Sequence, residues 1–338
     1  SSLLAWDFSD PDNNVITDIN GLALPVKFHQ GRVAKTGCAN VSGSVNYLNA
    51  ALTPLSSTQV WITRLSTTLS STASNSIGGF SFSNLAFGEH QLHASSSKPW
   101  GGGNSNDALI IMKHFVGQNS LAGLYLNAAD VDGSGGVNAT DAMQVARRFV
   151  NLIPTLPAGD WVFDNPILNI NAVNQTQNIQ SLCYGDVNGS YTNIAKNQLQ
   201  AVRSVTYTVA NEEWTEVPVS LQYSGNIHSI SLVLNYDPNI ISIQAINPVI
   251  EEGDFFINHN HGEIRIAWYA LKGYHIQASA ELIILKVKMI HKDAIQNWLT
   301  IGPESQVGNL EDDVLDVKVV IPDIVAGNNE SLLSFEVY

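Results

Sequence analysis

Alternating apolar and polar residues run along both ends of the chain and give way, in the middle, to a helical repeat. Between Val41 and Ser95 the alternation predicts strands at Val41–Tyr47, Gln59–Leu65, Gly79–Phe82 and His90–His93. Glycines bracket Gly78-Gly79-Phe80-Ser81-Phe82-Ser83-Asn84-Leu85-Ala86-Phe87-Gly88, and the stretch reads as a small two-sheet sandwich. Period two returns between Val205 and Ile321. It predicts strands at Val217–Tyr223, Ile230–Tyr236, Ile240–Ile246, Glu263–Tyr269, Glu281–Met289 and Val314–Ile321, a second and larger antiparallel sandwich. Residues 1–36 say less: Leu3-Leu4-Ala5-Trp6 and Leu22–Phe28, around the turn-prone Asp10–Asn14, read as the last strands of an earlier module.

In the middle, Asn104–Val116 aligns without gaps to Asn138–Val150. Each copy opens on Asn, a good helix N-cap, with an aspartate three residues on that suits the positive helix end. Apolar side chains recur at helical spacing: Ala108, Ile111, Met112, Phe115 in one copy and Ala142, Val145, Ala146, Phe149 in the other. Two short amphipathic helices that bury these faces against each other follow.

The chain has 338 residues, enough for several modules, and a net charge of −14 that argues against nucleic acid as a partner. No apolar stretch reaches the roughly 20 residues of a membrane span; Leu282–Leu285 is soon broken by Lys286 and Lys288. The two cysteines, Cys38 and Cys183, are too few for a zinc cluster and are either one long-range bridge or two free thiols. An extracellular setting favours the bridge. There is no initiator Met, so targeting information at that end is missing rather than negative.

The strongest chemistry precedes the second helix. In Asp130-Val131-Asp132-Gly133-Ser134-Gly135-Gly136-Val137-Asn138-Ala139-Thr140-Asp141, numbered as a twelve-residue loop, oxygen side chains stand at positions 1, 3, 5, 9 and 12. Gly135 at position 6 permits the sharp turn, and Gly136 at position 7 offers its carbonyl. A hard divalent cation takes this many oxygens and offsets the mutual repulsion of Asp130, Asp132 and Asp141. The candidate ligands are therefore Asp130, Asp132, Ser134, Gly136, Asn138 and Asp141, and the ion is Ca2+.

Position 12 is Asp rather than Glu, an entering helix is missing, and the loop-helix unit is duplicated at short spacing; in these respects the segment resembles a dockerin. The first copy departs from that family, because Ser96, Lys98 and Trp100 stand where loop ligands belong. A half-loop lies later instead, at Gly185-Asp186-Val187-Asn188-Gly189-Ser190. The expectation is a composite second Ca2+ site, as in a circularly permuted dockerin, in which Asp186, Asn188 and Ser190 join Asn104 and Asp107, with Gly101–Gly103 as permissive backbone. Residues 154–182 would form a hairpin bringing the halves together, pinned by a Cys38–Cys183 bridge. The resemblance implies partner contacts at Ala139, Thr140, Arg147 and Arg148 in one copy and at Ser105, Asn106, Lys113 and His114 in the other. Arg147 and Arg148 also suit a helix C-terminus in their own right.

The order of Val217–Leu221, Ile230–Pro238, Gly262–Trp268 and Leu282–Val287 is similar to that of a cohesin-type domain, which implies a jelly-roll or Ig-like sandwich that binds dockerins through one sheet face. A chain with both modules pairs them internally or assembles head to tail. Residues 37–97 resemble a transthyretin-like, carboxypeptidase-regulatory-type module. Leu332–Tyr338 looks like the start of a sorting domain of Bacteroidetes type IX secretion substrates.

Other candidates carry less. His259 and His261 fall on one side of a strand beside Gly262 and read as a polar hairpin tip; Glu251, Glu252 and Asp254 read as a solvated loop. Trp268, Tyr269 and Tyr274 read as sheet packing rather than sugar platforms. H-E-x-x-H, G-x-S-x-G, P-loop and G-x-G-x-x-G motifs are absent from the sequence.

The reading is a mainly β, multi-domain chain: N-terminal strands (1–36), a small β-sandwich (37–97), a two-helix calcium-loop unit with an inserted hairpin (98–200), a cohesin-type sandwich (203–322) and a linker (323–338). Its expected role is non-enzymatic binding or scaffolding, extracellular, secreted or at the cell surface, through a protein partner or the chain's own sandwich. The alternative is a carbohydrate-binding accessory region of a larger polysaccharide-degrading enzyme.

Overall fold

Regular alternation becomes strand, and the capped repeat becomes helix. The computed structural model describes residues 2–4, 31–33, 37–191, 199–203, 206–210, 213–290 and 297–327. Strands β1 (Ser2–Leu4) and β2 (Gly31–Val33) pair antiparallel. Then come β3 (Cys38–Tyr47), β4 (Gln59–Arg64), β5 (Thr67–Ala73), β6 (Gly79–Ala86) and β7 (Gly88–Ser95). Helices α1 (Ser105–Phe115), α2 (Gly123–Ala129) and α3 (Ala139–Phe149) precede β8 (Trp161–Phe163), β9 (Ile167–Ile170), β10 (Gln175–Thr176) and β11 (Ile179–Cys183). The remainder is β12 (Gln200–Val202), β13 (Thr206–Ala210), β14 (Thr215–Gln222), β15 (Gly225–Asn235), β16 (Ile241–Pro248), β17 (Asp254–Asn260), β18 (Glu263–Ile276), β19 (Ala280–Met289), β20 (Thr300–Ile301), β21 (Gln306–Gly308), β22 (Lys318–Val320) and β23 (Asp323–Gly327). The Leu22–Phe28 and Leu332–Tyr338 segments lie outside the described residues.

The described chain forms two compact units. The first holds the described residues up to Val45, Ser56–Ala94 and Asn165–Ile179; the second holds Asn46–Leu55, Ser95–Asp164 and the described residues from Gln180 onward. In the first unit, β3 pairs with β6 and β10, and a second sheet runs β5-β4-β7-β9. Inward positions of the alternation, among them Val41, Val45, Val60, Ile62, Phe80, Phe82 and Leu92, are buried. One expectation changes here. Of the hairpin expected over residues 154–182, the outer arms do pair, β8 with β11 antiparallel, but between them β9 pairs with β7 and β10 with β3, so residues 165–179 complete the small sandwich. Isolated four- and two-residue strands find backbone partners on open sheet edges, a destination that local pattern does not encode.

The larger sandwich lies in the second unit. One sheet runs β12-β22-β14-β19-β16 and the other β17-β18-β15-β20, with β21 also on β15. It is not wholly antiparallel, since β12–β22 and β13–β23 are parallel pairs. Val217, Val219 and Leu221 of β14 share one core with Ile230, Leu232 and Leu234 of β15 and Ile264, Ile266 and Trp268 of β18. Strand β15, however, is buried on both faces from Ile227 to Leu234. Its other face (Val233), with Ala267 and Tyr269 of β18, joins a separate core with Leu109, Ile110, Val145 and Phe149 of the helices. A sheet face buried this way is covered by another layer, and here the layer is α1 with α3.

This covering corrects the helix faces. Ala108 and Ile111 are buried as expected, but so are Leu109 and Ile110, while Phe115 is exposed. The continuous apolar run Ala108–Met112 is the signature of a helix buried on more than one side. The expected absence of an entering helix is also corrected: α2 ends at Ala129, directly before the Asp130 loop. Its start at Ala122 has no side-chain cap, so the sequence signal was weak.

The two cysteines are free thiols, Cys38 exposed and Cys183 buried, and no bridge joins them. Burial pushes the Cys183 thiol up to about 12, so little thiolate forms there at neutral pH. Titration of the native chain with a thiol-exchange reagent should therefore modify one cysteine rapidly and the second only after denaturation; rapid reaction of neither would contradict this assignment.

Candidate metal centre

The Asp130 loop is built by backbone N–H groups that converge on its carboxylates. Ser134 N–H donates to Asp130 Oδ1 (3.0 Å) and to Asp132 Oδ1 (2.9 Å), and Gly135 N–H to Asp130 Oδ2 (2.9 Å). Asp141 is fully buried and accepts from Val131 N–H (3.0 Å), Asp132 N–H (3.4 Å) and Asn138 N–H (2.9 Å). The last bond and the donation of Thr140 N–H to Asn138 Oδ1 (2.8 Å) form a capping box that starts α3. Gly133 and Gly135 take positive φ of 69° and 87°, which the tight loop requires.

Carboxylate oxygens of Asp130, Asp132 and Asp141 lie within 4.8 Å of one another. Two oxygens on one Ca2+ are at most about 5 Å apart, so the donor set fits that ion. Burial and the charges of Asp132 and Asp130 raise the Asp141 carboxyl above the usual range, while hydrogen bonds from Ser134 hold Asp132 below it. The charged form of Asp141 is thus disfavoured where it sits, first by burial and then by its neighbours' charges.

The chain reproduces this network a second time from two distant segments. Asp107 is fully buried and accepts from Val187 N–H (3.0 Å), Asn188 N–H (3.2 Å) and Asn104 N–H (3.1 Å). Asp186, also fully buried, accepts at Oδ1 from Ser190 N–H (2.8 Å) and at Oδ2 from Tyr191 N–H (2.9 Å). Ser190 Oγ donates to the Gly102 carbonyl at 3.2 Å, as Ser134 Oγ does to that of Gly136 at 3.2 Å. Asn104 Oδ1 accepts from Asn106 N–H (2.8 Å) and completes the capping box of α1. Gly189, with φ 66°, stands where Gly133 does. The structure therefore brings Asp186, Asn188 and Ser190 together with Asn104 and Asp107.

Gly102, expected as permissive backbone, takes position 7 with φ 89°, and a Cβ there would collide with the Asp186 carboxylate; its offset from Asn104 equals that of Gly136 from Asn138. One residue at this second cluster escaped the sequence reading. Gln306 of β21 donates from Nε2 to Asn104 Oδ1 (2.8 Å), a link that local sequence does not announce.

The candidate partner residues divide. Ser105 N–H donates to Ser231 Oγ (3.0 Å) and Ser105 Oγ to the Ile230 carbonyl (2.7 Å), both on β15. Ser229 Oγ donates to Asn106 Oδ1 (3.2 Å). Lys113 Nζ reaches the Leu310 carbonyl (2.5 Å) and Asp312 Oδ1 (3.1 Å). In the second copy Ala139 and Thr140 are exposed and Arg147 is half-buried. Arg148 lies over the Trp100 ring at 5.1 Å and pairs with Asp160 at 3.4 Å. His114 Nδ1 accepts from Leu121 N–H (3.1 Å).

Residues 104–150 match the dockerin type I domain. That match ends before the Asp186 half-loop. No curated protein matches the chain. Similar solved structures include a non-cellulosomal cohesin from the archaeon Archaeoglobus fulgidus, 15% identical, covering 40% of this chain and 94% of the other, TM-score 0.31. A chain of a type I cohesin–dockerin complex from Clostridium thermocellum is 17% identical over 40% of this chain and all (100%) of the other, TM-score 0.29. A cohesin module of a Clostridium perfringens family 33 glycoside hydrolase is 13% identical over 38% and 99%, TM-score 0.29.

The remaining candidates settle into the sandwich. Trp268 and Tyr269 are buried, with the Trp268 indole donating to the Glu252 carbonyl at 2.7 Å, so neither ring is open for stacking. His259 lies in β17 and His261 follows it at the hairpin tip, with His259 Nε2 2.6 Å from the Tyr236 hydroxyl. Glu251 and Glu252 are exposed before β17, and Asp254 begins that strand.

Lys113 is nearly covered where it meets Leu310 and Asp312. Lys113→Met should cost about 1–3 kcal/mol in chemical denaturation by leaving these acceptors unpaired, whereas Arg147→Met should change stability by less than about 0.5 kcal/mol.

Proposed function

We propose that this is a calcium-stabilised, non-enzymatic binding or scaffolding protein of the extracellular space or cell surface, in which the dockerin-matching helices are held by the chain's own cohesin-like sandwich. The observation that carries the reading is the seating of α1: Ser105, Asn106 and Lys113, positions at which the dockerin resemblance puts partner contacts, bond to β15 and to the 310–312 segment. Arg265 of β18 adds a bond to the Phe149 carbonyl (3.1 Å) at the end of α3.

Two calcium sites accompany this reading. Asp130, Asp132, Ser134, Gly136, Asn138 and Asp141 hold one; Asp186, Asn188, Ser190, Gly102, Asn104 and Asp107 hold the other. Bound calcium supplies the positive charge that the clustered carboxylates lack, so ion affinity becomes folding free energy. The residues do the rest. Asp107 and Asp141 each fix a helix start and the opposite half of a loop, and Asn104 ties the composite site to the sandwich through Gln306. Among the described residues no helix is long and apolar enough to cross a membrane.

A second reading, a carbohydrate-binding accessory region, draws on one observation. A cavity of about 830 Å³ lies between Trp100, Arg148, Asp160, Tyr191, Arg265 and Glu304, mixing aromatic faces with hydrogen-bonding groups. Glycan-array binding that survives chelation, and is lost in Trp100→Ala, would favour it over the pairing.

Calorimetric titration of the stripped chain should find two calcium ions, with Asp186→Ala and Asp130→Ala each leaving one. A protease site inserted within residues 192–198 tests the pairing. The cleaved halves should co-elute in calcium and separate in EGTA; separation in calcium would overturn the intramolecular arrangement.

A further inference from the structure

The two calcium loops share most of their hydrogen bonds, and one difference is instructive. Asp130 takes two backbone N–H groups on its two oxygens. Asp186 takes the corresponding two and a third donor: the Tyr47 hydroxyl lies 2.5 Å from Asp186 Oδ2. Tyr47 ends β3, about 140 residues away along the chain, and is fully buried. Its oxygen accepts from Cys183 N–H at 3.0 Å, so its own proton is directed at the carboxylate. The ring is held between Trp161 (5.8 Å, edge-on) and Tyr191 (5.1 Å).

The next residues continue the cover. Leu48 N–H donates to the Ser181 carbonyl (2.9 Å), and the Leu48 carbonyl accepts from Tyr125 Oη (3.0 Å). That carbonyl lies so close over Gly189 that a Cβ there would come within 2.5 Å of it. Asn49 Nδ2 donates to the Tyr191 carbonyl at 3.1 Å. In the Asp130 loop a peptide bond joins positions 6 and 7. In the composite site Tyr191 and Gly102 stand there without a bond between them, and their approach costs conformational entropy.

We propose that Tyr47 is a positioning residue for the composite calcium site, and that segment 47–49 is its third structural part, replacing the missing covalent link. The proposal rests on the calcium reading above. Tyr47 touches no proposed ion. It fixes the position-1 carboxylate, and the segment after it holds the half-loop in place, so the site is organised before binding. By linkage, calcium at this site also orders residues 46–55.

The test uses the full chain and calcium alone. In an Asp130→Ala background, which isolates the composite site, Tyr47→Phe should weaken calcium binding roughly 10- to 100-fold by titration calorimetry, the loss of one charge-assisted hydrogen bond. In an Asp186→Ala background the same substitution should leave the remaining site unchanged. Unchanged affinity in the first background, or equal weakening in both, overturns the proposal. Hydrogen exchange on the wild-type chain tests it without any variant: calcium should slow exchange in peptides covering 46–55 together with those covering 184–191. Protection at 184–191 without any at 46–55 overturns it. A wild-type chain that binds no calcium overturns the calcium reading itself, a result distinct from either.

Discussion

Three carboxylates, Asp107, Asp141 and Asp186, are wholly removed from water, and the helical part of the second unit is organised around satisfying them. A buried carboxylate left unpaired would cost more than the burial of several apolar side chains returns. Each of the three instead accepts at least three hydrogen bonds, mostly from backbone N–H groups of the loop segments around them. The same bonds start both long helices. The carboxylates therefore act first as hubs of backbone geometry, whatever further charge a cation would add on the proposed reading.

Helix α1 lies between two such demands. Its N-terminus is fixed by Asp107 and Asn104, and its flank is buried against β15 and β18. Small outward residues on β15, Ser229 and Ser231, leave room for the helix and meet its polar first turn with their hydroxyls. The polar groups that would otherwise be stranded beneath α1 are thereby paired, which allows a dry contact with Val233, Ala267 and Tyr269 beside it. Helix α3 meets the sandwich mainly at its end, through Phe149 and Arg265, and leaves Ala139 and Thr140 in solvent. Two helices of one repeat, capped in the same way, thus acquire different roles from what covers them.

Local information was legible. The Asn-capped repeat, the oxygen spacing of Asp130–Asp141 and the alternation of most sandwich strands are each written within a dozen residues, where propensity and pattern operate. The ligand types of the half-loop at Asp186 were readable for the same reason. What could not be read is which distant pieces close on each other: that β9 and β10 join the first unit, that Tyr47 and Gln306 reach the composite site, and that Cys38 and Cys183 remain apart in environment and unbonded. One non-local fact did leave a trace. The uninterrupted apolar run of α1 is consistent with the burial on more than one side that the structure shows.

The composite loop shows what continuity of the chain contributes to a candidate metal site. Its hydrogen bonds reproduce those of the contiguous loop, so the enthalpic pattern of the site does not require positions 6 and 7 to be bonded. What continuity provides is proximity. The closure entropy of a loop grows only with the logarithm of its length, so separating the halves by some 80 residues costs a few kcal/mol at most. That cost is of the size a few buried hydrogen bonds can offset. Tyr47 on Asp186, Asn49 on Tyr191 and Gln306 on Asn104 are such bonds, and they come from both sides of the break. A split loop is therefore viable here because neighbouring segments hold each half independently, and its stability is tied to theirs in a way that a contiguous loop's is not.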